Sequence, residues 1–155
     1  MRTNILVYED TPKYDFWLKF ILGGVLALTF ILGVIFIEQD TEAAVAMFGI
    51  TLFDALLFRA VLPKRYQIFE DRLKIIMGGP FAINIDFSNI EEAKPASGRK
   101  AFAYGGLRFA TSIHNIVEIV RRKGLNIVIS PNNADMFLEQ LNQARGNKKQ
   151  SKPTL

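Results

Sequence analysis

Residues 17–62 read WLKFILGGVLALTFILGVIFI-EQDTE-AAVAMFGITLFDALLFRAVL. Two apolar runs of twenty residues each, 18–37 and 43–62, flank the acidic segment 38–42. A bilayer core about 30 Å thick is crossed by about 20 helical residues that rise about 1.5 Å each. The pattern therefore predicts a transmembrane helical hairpin over residues 17–62.

Charge on the two sides of the hairpin predicts its orientation. The connecting loop has three acidic residues and no basic one, whereas the chain from Pro63 onward has fifteen Lys/Arg against eight Asp/Glu. Lysine and arginine near the ends of membrane helices favour the cytoplasmic side. We expect a multi-pass protein of the cytoplasmic (inner) membrane with both termini in the cytoplasm and the short loop outside.

A secretory signal peptide is the competing interpretation of the first run, because Ala44-Val45-Ala46 resembles a small-residue cleavage site. Three features argue against it. The first run is longer than the apolar region of a signal peptide, the segment up to Lys19 carries no net positive charge, and a second apolar run follows at once.

Three charged residues lie inside the predicted spans: Asp54 near the middle of the second, and Lys19 and Arg59 closer to the cytoplasm. A carboxylate at such a depth is costly and is expected to face protein or water. One interpretation is an ion or proton relay, or a contact with a partner's helix; the other is a structural polar contact within the hairpin or a homo-oligomer. Small residues mark candidate helix contact faces: Gly23, Gly24, Ala27 and Gly33 in the first run, and Ala43, Ala44, Ala46 and Gly49 in the second.

From Pro63 onward the apolar spacing changes to that of short strands. Residues 66–69 and 73–77 are predicted to pair across Glu70-Asp71-Arg72, and residues 83–87 alternate between apolar and polar side chains. Residues 91–101 predict an irregular strand and a loop. The last strands are predicted over residues 104–111, 116–121 and 125–129.

A helix is predicted to follow these strands. Residues 130–133 supply capping side chains and a proline, and one apolar stripe follows, formed by Ala134, Phe137, Leu138 and Leu141. The predicted fold class is α+β: a transmembrane hairpin, then a small antiparallel β-barrel or sandwich capped by the C-terminal helix. The predicted domains are a cytoplasmic segment 1–16, the hairpin 17–62, a cytoplasmic domain 63–145 and a disordered basic tail 146–155.

This order of elements resembles the bacterial pleckstrin-homology-like (PH-like) domains, in the subset with two transmembrane helices before the domain. The resemblance extends over residues 10–145. It rests on Tyr66-Gln-Ile-Phe-Glu-Asp-Arg-Leu73-Lys-Ile, on Ile85-Asp-Phe-Ser-Asn-Ile90, and on Asn126-Ile-Val-Ile-Ser-Pro131 through Phe137-Leu138-Glu-Gln-Leu141. It implies a PH-like barrel plugged by the last helix, and no particular biochemical activity.

The resemblance does not by itself imply lipid binding, because function depends on the site and not on the fold. Eukaryotic PH domains that bind phosphoinositides place lysines and arginines around the first strand-to-strand loop. In the predicted strand order that loop is Glu70-Asp71-Arg72, which is net negative. This departure argues against headgroup recognition at that position.

Few residues suit catalysis or metal binding. His114 is the single histidine and lies near Ser112, and the chain has no cysteine. A hydrolase that uses Ser112 and His114 is the alternative to a structural histidine. Glu91-Glu92 has no partner acids at ligand spacing, and the glycine pairs 78–79 and 105–106 fit turns rather than a nucleotide-binding loop. We expect no enzymatic activity, no cofactor and no metal.

Basic residues supply the remaining candidate site. Each Lys or Arg close to an anionic leaflet contributes about 1 kcal/mol of binding, and an ordinary solvated surface is the competing interpretation. The scarcity of aromatic residues placed for stacking argues against nucleic acid as a partner. The candidate lipid contacts are Lys64, Arg65, Arg99, Lys100, Arg108, Arg121, Arg122 and Lys123.

Taken together, the sequence predicts a membrane-anchored, non-enzymatic interaction module. Its PH-like domain is expected to contact proteins or lipid headgroups at the cytoplasmic membrane face. Membrane lipids and a second copy or a membrane-protein partner are the expected partners. The alternative is an accessory subunit of a transport or secretion complex, in which Asp54 acts inside the bilayer.

Overall fold

The two helices of the hairpin are the longest elements that the structure describes. A computed structural model describes residues 5–101 and 105–150, apart from the side chains of residues 100, 101 and 147–150. Helix α1 spans Phe16–Phe36 and helix α2 spans Thr41–Val61, within two residues of the predicted bounds. Asp40 caps α2, since its Oδ1 accepts hydrogen bonds from the backbone N–H groups of Glu42 at 3.0 Å and Ala43 at 3.1 Å.

The two helices pack through small and hydroxyl side chains. Gly33 is buried against the ring of Phe48, which meets Phe30 edge-on at a ring-centroid distance of 5.5 Å. Nearer the domain, the Thr51 hydroxyl donates to Thr29 Oγ1 at 2.8 Å. Among the other predicted contact residues, Ala44 is buried, while an added Cβ at Gly23, Gly24 or Gly49 would meet nothing within 4 Å.

A strand precedes the hairpin, in a segment that was predicted to lie outside the domain. Strand β1, Leu6–Asp10, pairs antiparallel with β2, Pro63–Phe69, and its Tyr8 and Asp10 lie opposite Ile68 and Tyr66. The domain therefore includes part of the segment 1–16. The hairpin is an insertion between two neighbouring strands of one sheet rather than an anchor placed before the domain.

The strands form two four-stranded sheets. The first has the order β1-β2-β3-β4, and the second has the order β5-β7-β8-β6. Every pairing is antiparallel except that of β6 with β8. The α+β prediction is confirmed, and in the described part of the chain the sheets form a sandwich rather than a closed barrel. The remaining strands are β3 Arg72–Met77, β4 Ala82–Asp86, β5 Ile90–Ala96, β6 Leu107–Phe109, β7 Ile116–Arg121 and β8 Ile127–Ile129.

The core lies between the sheets and under helix α3, Ala134–Gln150. Phe137 and Leu141 of the predicted stripe are fully buried, and Phe137 meets the ring of Tyr66 edge-on at 6.2 Å. Asn133 Oδ1 accepts from the Met136 N–H at 3.1 Å and caps the helix. The helix continues past the predicted end at residue 145, so residues 146–150 are helical where a disordered tail was predicted; residues 151–155 lie outside the described residues.

We predict that Gly33→Leu destabilises the hairpin and that Gly24→Leu does not. An added Cβ at Gly33 would lie 2.9 Å from Phe48 Cε1, and that ring is held by Phe30. Overpacking of this kind costs about 1–3 kcal/mol. The thermal midpoint of each full-length variant in one detergent measures the effect. An equal loss of stability in the two variants would contradict the packing described.

Candidate functional site

The hairpin enters and leaves the domain at one place, which we call the junction: residues 11–15, Leu62–Lys64, the turn 78–81 and the segment 111–114. The Lys13 N–H donates to the Ser130 carbonyl at 2.9 Å, and the Thr111 hydroxyl donates to the Lys13 carbonyl at 2.6 Å. These hydrogen bonds join the connection that leads into α1 to the second sheet. The junction therefore contacts both sheets as well as both helices.

Asp15 is the most extensively hydrogen-bonded side chain of the junction. Its carboxylate accepts from the Ser112 hydroxyl and the Ile113 N–H, both at 2.7 Å, and from Trp17 Nε1 at 3.3 Å. Burial acts to raise the pKa of Asp15, but these hydrogen bonds, together with the nearby His114, hold it below its ordinary value. Because Asp15 immediately precedes α1, the network attaches the start of that helix to the second sheet.

The turn between β3 and β4 packs against the end of α2. The Gly78 N–H donates to the Leu62 carbonyl at 2.9 Å, and a Cβ on Gly78 would collide with the carbonyl oxygen of Arg59. A Cβ on Gly79 would lie 3.1 Å from Ala60 Cα. The glycine pair, predicted as a turn, is thus required by the close approach of sheet and helix.

A cleft of about 350 Å³ opens at the junction between the ends of β1 and β2. Arg59 and Lys64 supply its positive charge, and Thr11 and Tyr14 supply hydroxyl groups. Tyr14 donates to the Pro63 carbonyl, and burial raises the pKa of its phenol. Arg59 also lies in the last turn of α2, where a cation is favoured by the negative end of the helix dipole. None of the described residues that line the cleft carries a carboxylate, so the cleft suits an anionic or neutral group.

Ser112 and His114 do not form the nucleophile–base pair that a hydrolase would need. The Ser112 hydroxyl is committed to Asp15, and its oxygen accepts the backbone N–H of His114 at 2.9 Å. Ser112 is also buried. The imidazole instead lies beside Asp15, with Nδ1 3.7 Å from Oδ2. This arrangement orients a backbone segment and does not activate a hydroxyl.

Within residues 5–101 and 105–150, no three His, Cys, Asp or Glu side chains lie together in a group that could hold a metal ion. Glu92 forms an ion pair with Lys94 at 2.9 Å.

The structure separates the predicted lipid-contacting residues into two places. Arg99 follows Gly98, where an added Cβ would lie 2.8 Å from the Ile113 carbonyl oxygen, so Arg99 lies at the junction end with Lys64. Residues 121–123 lie at the other end of β7, five strand steps or about 17 Å from Ile116.

Several of these cations already have partners. Arg65 pairs with Glu9 at 3.2 Å, and the Arg121 side chain folds over its own turn and donates to the Lys123 carbonyl at 3.1 Å. Arg122 and Arg108 are exposed. The side chain of Lys100 lies outside the described residues.

The three charged residues of the hairpin are not brought together. Asp54 is half-buried, whereas Lys19 and Arg59 are exposed. Asp54 lies about 7.5 Å along the axis of α2 from Arg59. The Thr29–Thr51 contact sets the register of the two helices and places Asp54 further still from Lys19. In the part of the chain that the structure describes, Asp54 forms no ion pair and no side-chain hydrogen bond.

We predict that Asp15→Asn lowers the stability of the full-length protein at neutral pH by about 2 kcal/mol, because the hydrogen bonds lose their charged acceptor and one accepting oxygen is replaced by an NH2 donor. The folded-state pKa of Asp15 lies below its ordinary value of 3.8. Its contribution is therefore present above pH 3.8 and is lost as the pH falls through the lower, folded-state pKa. The stability difference between the wild type and Asp15→Asn should narrow in that range.

Thermal unfolding in detergent, followed by the fluorescence of the single tryptophan, Trp17, measures this difference. Asp86→Asn, at an exposed position on β4, is the matched control and should change stability little at any pH. A difference between the wild type and Asp15→Asn that stays constant down to pH 2 would contradict the assignment.

A family model described as a bacterial PH domain matches residues 64–145, which is more than half of the 155-residue chain. The matched region begins in β2 and ends within α3, and it leaves out β1. No curated protein and no solved structure matches the chain. PH domains are generally non-catalytic interaction modules. The match and the two long apolar helices confirm the resemblance read from the residues: this chain belongs to the bacterial PH domain family.

Proposed function

We propose that the protein is a membrane-anchored, non-enzymatic interaction module that holds its PH-like domain against the cytoplasmic face of the bacterial inner membrane. The observation that supports this most is the insertion of the hairpin between the paired strands β1 and β2. Both helices meet the domain at the junction, so one end of the domain faces the membrane surface and the other end faces away from it.

The helices themselves favour a bilayer over an aqueous environment. Each has 21 residues, and only 6% of its most apolar window is buried inside the protein. A core helix of a water-soluble protein would be mostly buried. The exposed side chains along both helices are large and apolar, including Phe20, Ile31, Phe53 and Leu56.

The surface that faces the membrane carries positive charge. Arg59 and Lys64 line the cleft, and Arg99 lies at the same end of the domain. Anionic headgroups would meet these cations first. Residues 121–123 lie at the far end of β7, so in this proposal they face away from the membrane and contact a cytoplasmic protein partner.

The acidic turn Glu70-Asp71-Arg72 connects β2 to β3 and lies at the end of β2 that is far from Pro63 and the junction. The family match begins in β2, so this turn is the first strand-to-strand loop of the matched region, and its net negative charge argues against headgroup recognition there. The lipid contacts proposed here are made by the junction instead.

Labelling of introduced cysteines tests the anchoring and its orientation, since the chain has no cysteine of its own. We expect Gln39→Cys, in the hairpin loop, to react with a membrane-impermeant maleimide in intact spheroplasts. Leu125→Cys, an exposed position in the turn between β7 and β8, should react only after permeabilisation. Reaction of Leu125→Cys in intact spheroplasts would contradict the orientation, and extraction of the protein by alkaline carbonate would contradict the membrane spans.

A second candidate function follows from Asp54. Its side chain lacks an ion-pair partner within the described residues, and an unpaired carboxylate inside a bilayer costs about 2.5–3.5 kcal/mol. A polar group of another chain, or water, would lower that cost. We propose, as the alternative, an accessory subunit of a transport or secretion complex in which Asp54 makes this contact.

Substitution of Asp54 separates the two candidates. If Asp54 only joins chains, as the interaction module allows, Asp54→Leu should reduce the assembly seen on native gels. Asp54→Asn, which keeps hydrogen-bonding groups, should preserve that assembly. If Asp54 takes part in coupling, Asp54→Asn should abolish an ion- or proton-coupled activity with assembly intact. Phe53→Leu, at an exposed position beside it, is the control. Unchanged assembly and activity in both Asp54 variants would contradict the alternative function.

A further inference from the structure

The turn between β3 and β4 lies at the level where α2 ends. Its Gly79 approaches Ala60, which belongs to the last turn of the helix, and Gly78 is hydrogen-bonded to Leu62. The Phe81 carbonyl accepts the Met77 N–H at 3.1 Å, and Met77 in turn lies opposite Pro63, the second residue after α2. Phe81 is therefore held beside the end of a predicted membrane span.

Phe81 is exposed at this position. Its relative accessibility is 64%, and the neighbouring Pro80 and Ala82 are exposed as well. The ring is thus not part of the core, although β4 directs Ile83 and Ile85 inward. Val61, in the last turn of α2, is also exposed at 55%. Phe81 and Val61 are thus two large apolar side chains that are both exposed near the end of an apolar helix.

We infer that the turn 78–81 is a third membrane contact, which inserts Phe81 into the boundary between headgroups and acyl chains of the bilayer that the hairpin crosses. The inference rests on the proposed function, since it takes the hairpin as membrane-spanning. The turn contacts the lipid bilayer and not a protein, because it is attached to the end of α2 at the depth of the membrane interface. Aromatic rings are enriched at that depth in membrane proteins.

This contact would add lipid to the interactions that hold the domain at the membrane. The turn 78–81 projects from the first sheet, whereas the Asp15 network attaches α1 to the second sheet. A bilayer contact at Phe81 would therefore support the first-sheet side of the junction, in addition to the packing of the turn on the end of α2.

Depth-dependent fluorescence quenching tests the inference on the full-length chain in vesicles of phosphatidylcholine and phosphatidylglycerol. Single cysteines at Phe81, Leu52 and Leu125 carry an environment-sensitive NBD label, and lipids with a nitroxide near the headgroup or deep in the acyl chain act as quenchers. Leu52, in α2, reports the span, and Leu125 is the matched control, exposed at 56% in the turn between β7 and β8. All three wild-type side chains are large, apolar and exposed, so the labels differ mainly in location.

We expect the Phe81 label to be quenched severalfold more by the shallow nitroxide than by the deep one. The Leu52 label should be quenched by the deep nitroxide, and the Leu125 label by neither. A Phe81 label that behaves like the Leu125 label, while Leu52 is quenched, would overturn the inference and leave the proposed function standing. An unquenched Leu52 label would overturn the proposed function and the inference together.

A second measurement avoids the attached label. Phe81→Trp is placed in a chain that carries Trp17→Phe, and the expected result is blue-shifted emission in vesicles with quenching by lipids brominated near the headgroup. Leu125→Trp in the same background should emit as a water-exposed indole. Identical emission from the two variants would overturn the inference.

Discussion

The antiparallel pairing of β1 with β2 is the interaction on which the rest of the structure depends. The hydrogen-bonded strands belong to one sheet, yet the chain between them leaves the domain, forms two helices of 21 residues and returns. Because the two ends of the hairpin are held one strand spacing apart, the helices begin and end at a single location. The hairpin and the domain are in this way parts of one structure and not a tether with a separate domain.

The junction adds contacts that fix how the hairpin meets the domain. Asp15 attaches the start of α1 to the segment 111–114 of the second sheet, and the glycine pair at 78–79 lets the first sheet pack on the end of α2. One contact relies on a charged carboxylate and the other on the absence of side chains. The proposed function depends on this arrangement, since a domain held rigidly presents a constant surface to its partners.

Much of the fold can be predicted from residue patterns that act locally. The two apolar runs, the strands that follow Pro63 and the stripe of α3 all appear in the structure, because length, alternation and 3.6-residue spacing each reflect burial directly. Strand β1 could not be found in this way. Of its five residues, LVYED, only Asp10 is buried, and its partner strand lies more than fifty residues away in the sequence. The polar residues at the end of α3 likewise carry no apolar spacing, so the helix was predicted to end too early.

The candidate site, too, could be predicted only in part from local sequence patterns. The residues that form the junction are distant in sequence: Asp15 contacts Ser112 and Ile113, and Gly78 contacts Leu62. The glycine pair and the Ser112–His114 pair were visible as patterns, but their roles depend on what the fold brings beside them. Residues 121–123 were predicted as lipid contacts from their charge alone. The structure shows that β7 leads away from the junction, so these residues lie at its far end.

The pairing of β1 with β2 can be tested directly by a disulfide across it. Glu9 lies opposite Gln67, and Gln67 lies opposite Lys74 on β3. Paired strands hold opposite Cα atoms about 4.5–5.5 Å apart, within the range of a disulfide, whereas residues two strands apart are separated by nearly 10 Å. In the otherwise cysteine-free full-length chain, oxidation should remove both thiols of Glu9→Cys/Gln67→Cys and leave those of Glu9→Cys/Lys74→Cys free. Free thiols in the first variant, or equal oxidation of both, would contradict the insertion of the hairpin into the sheet.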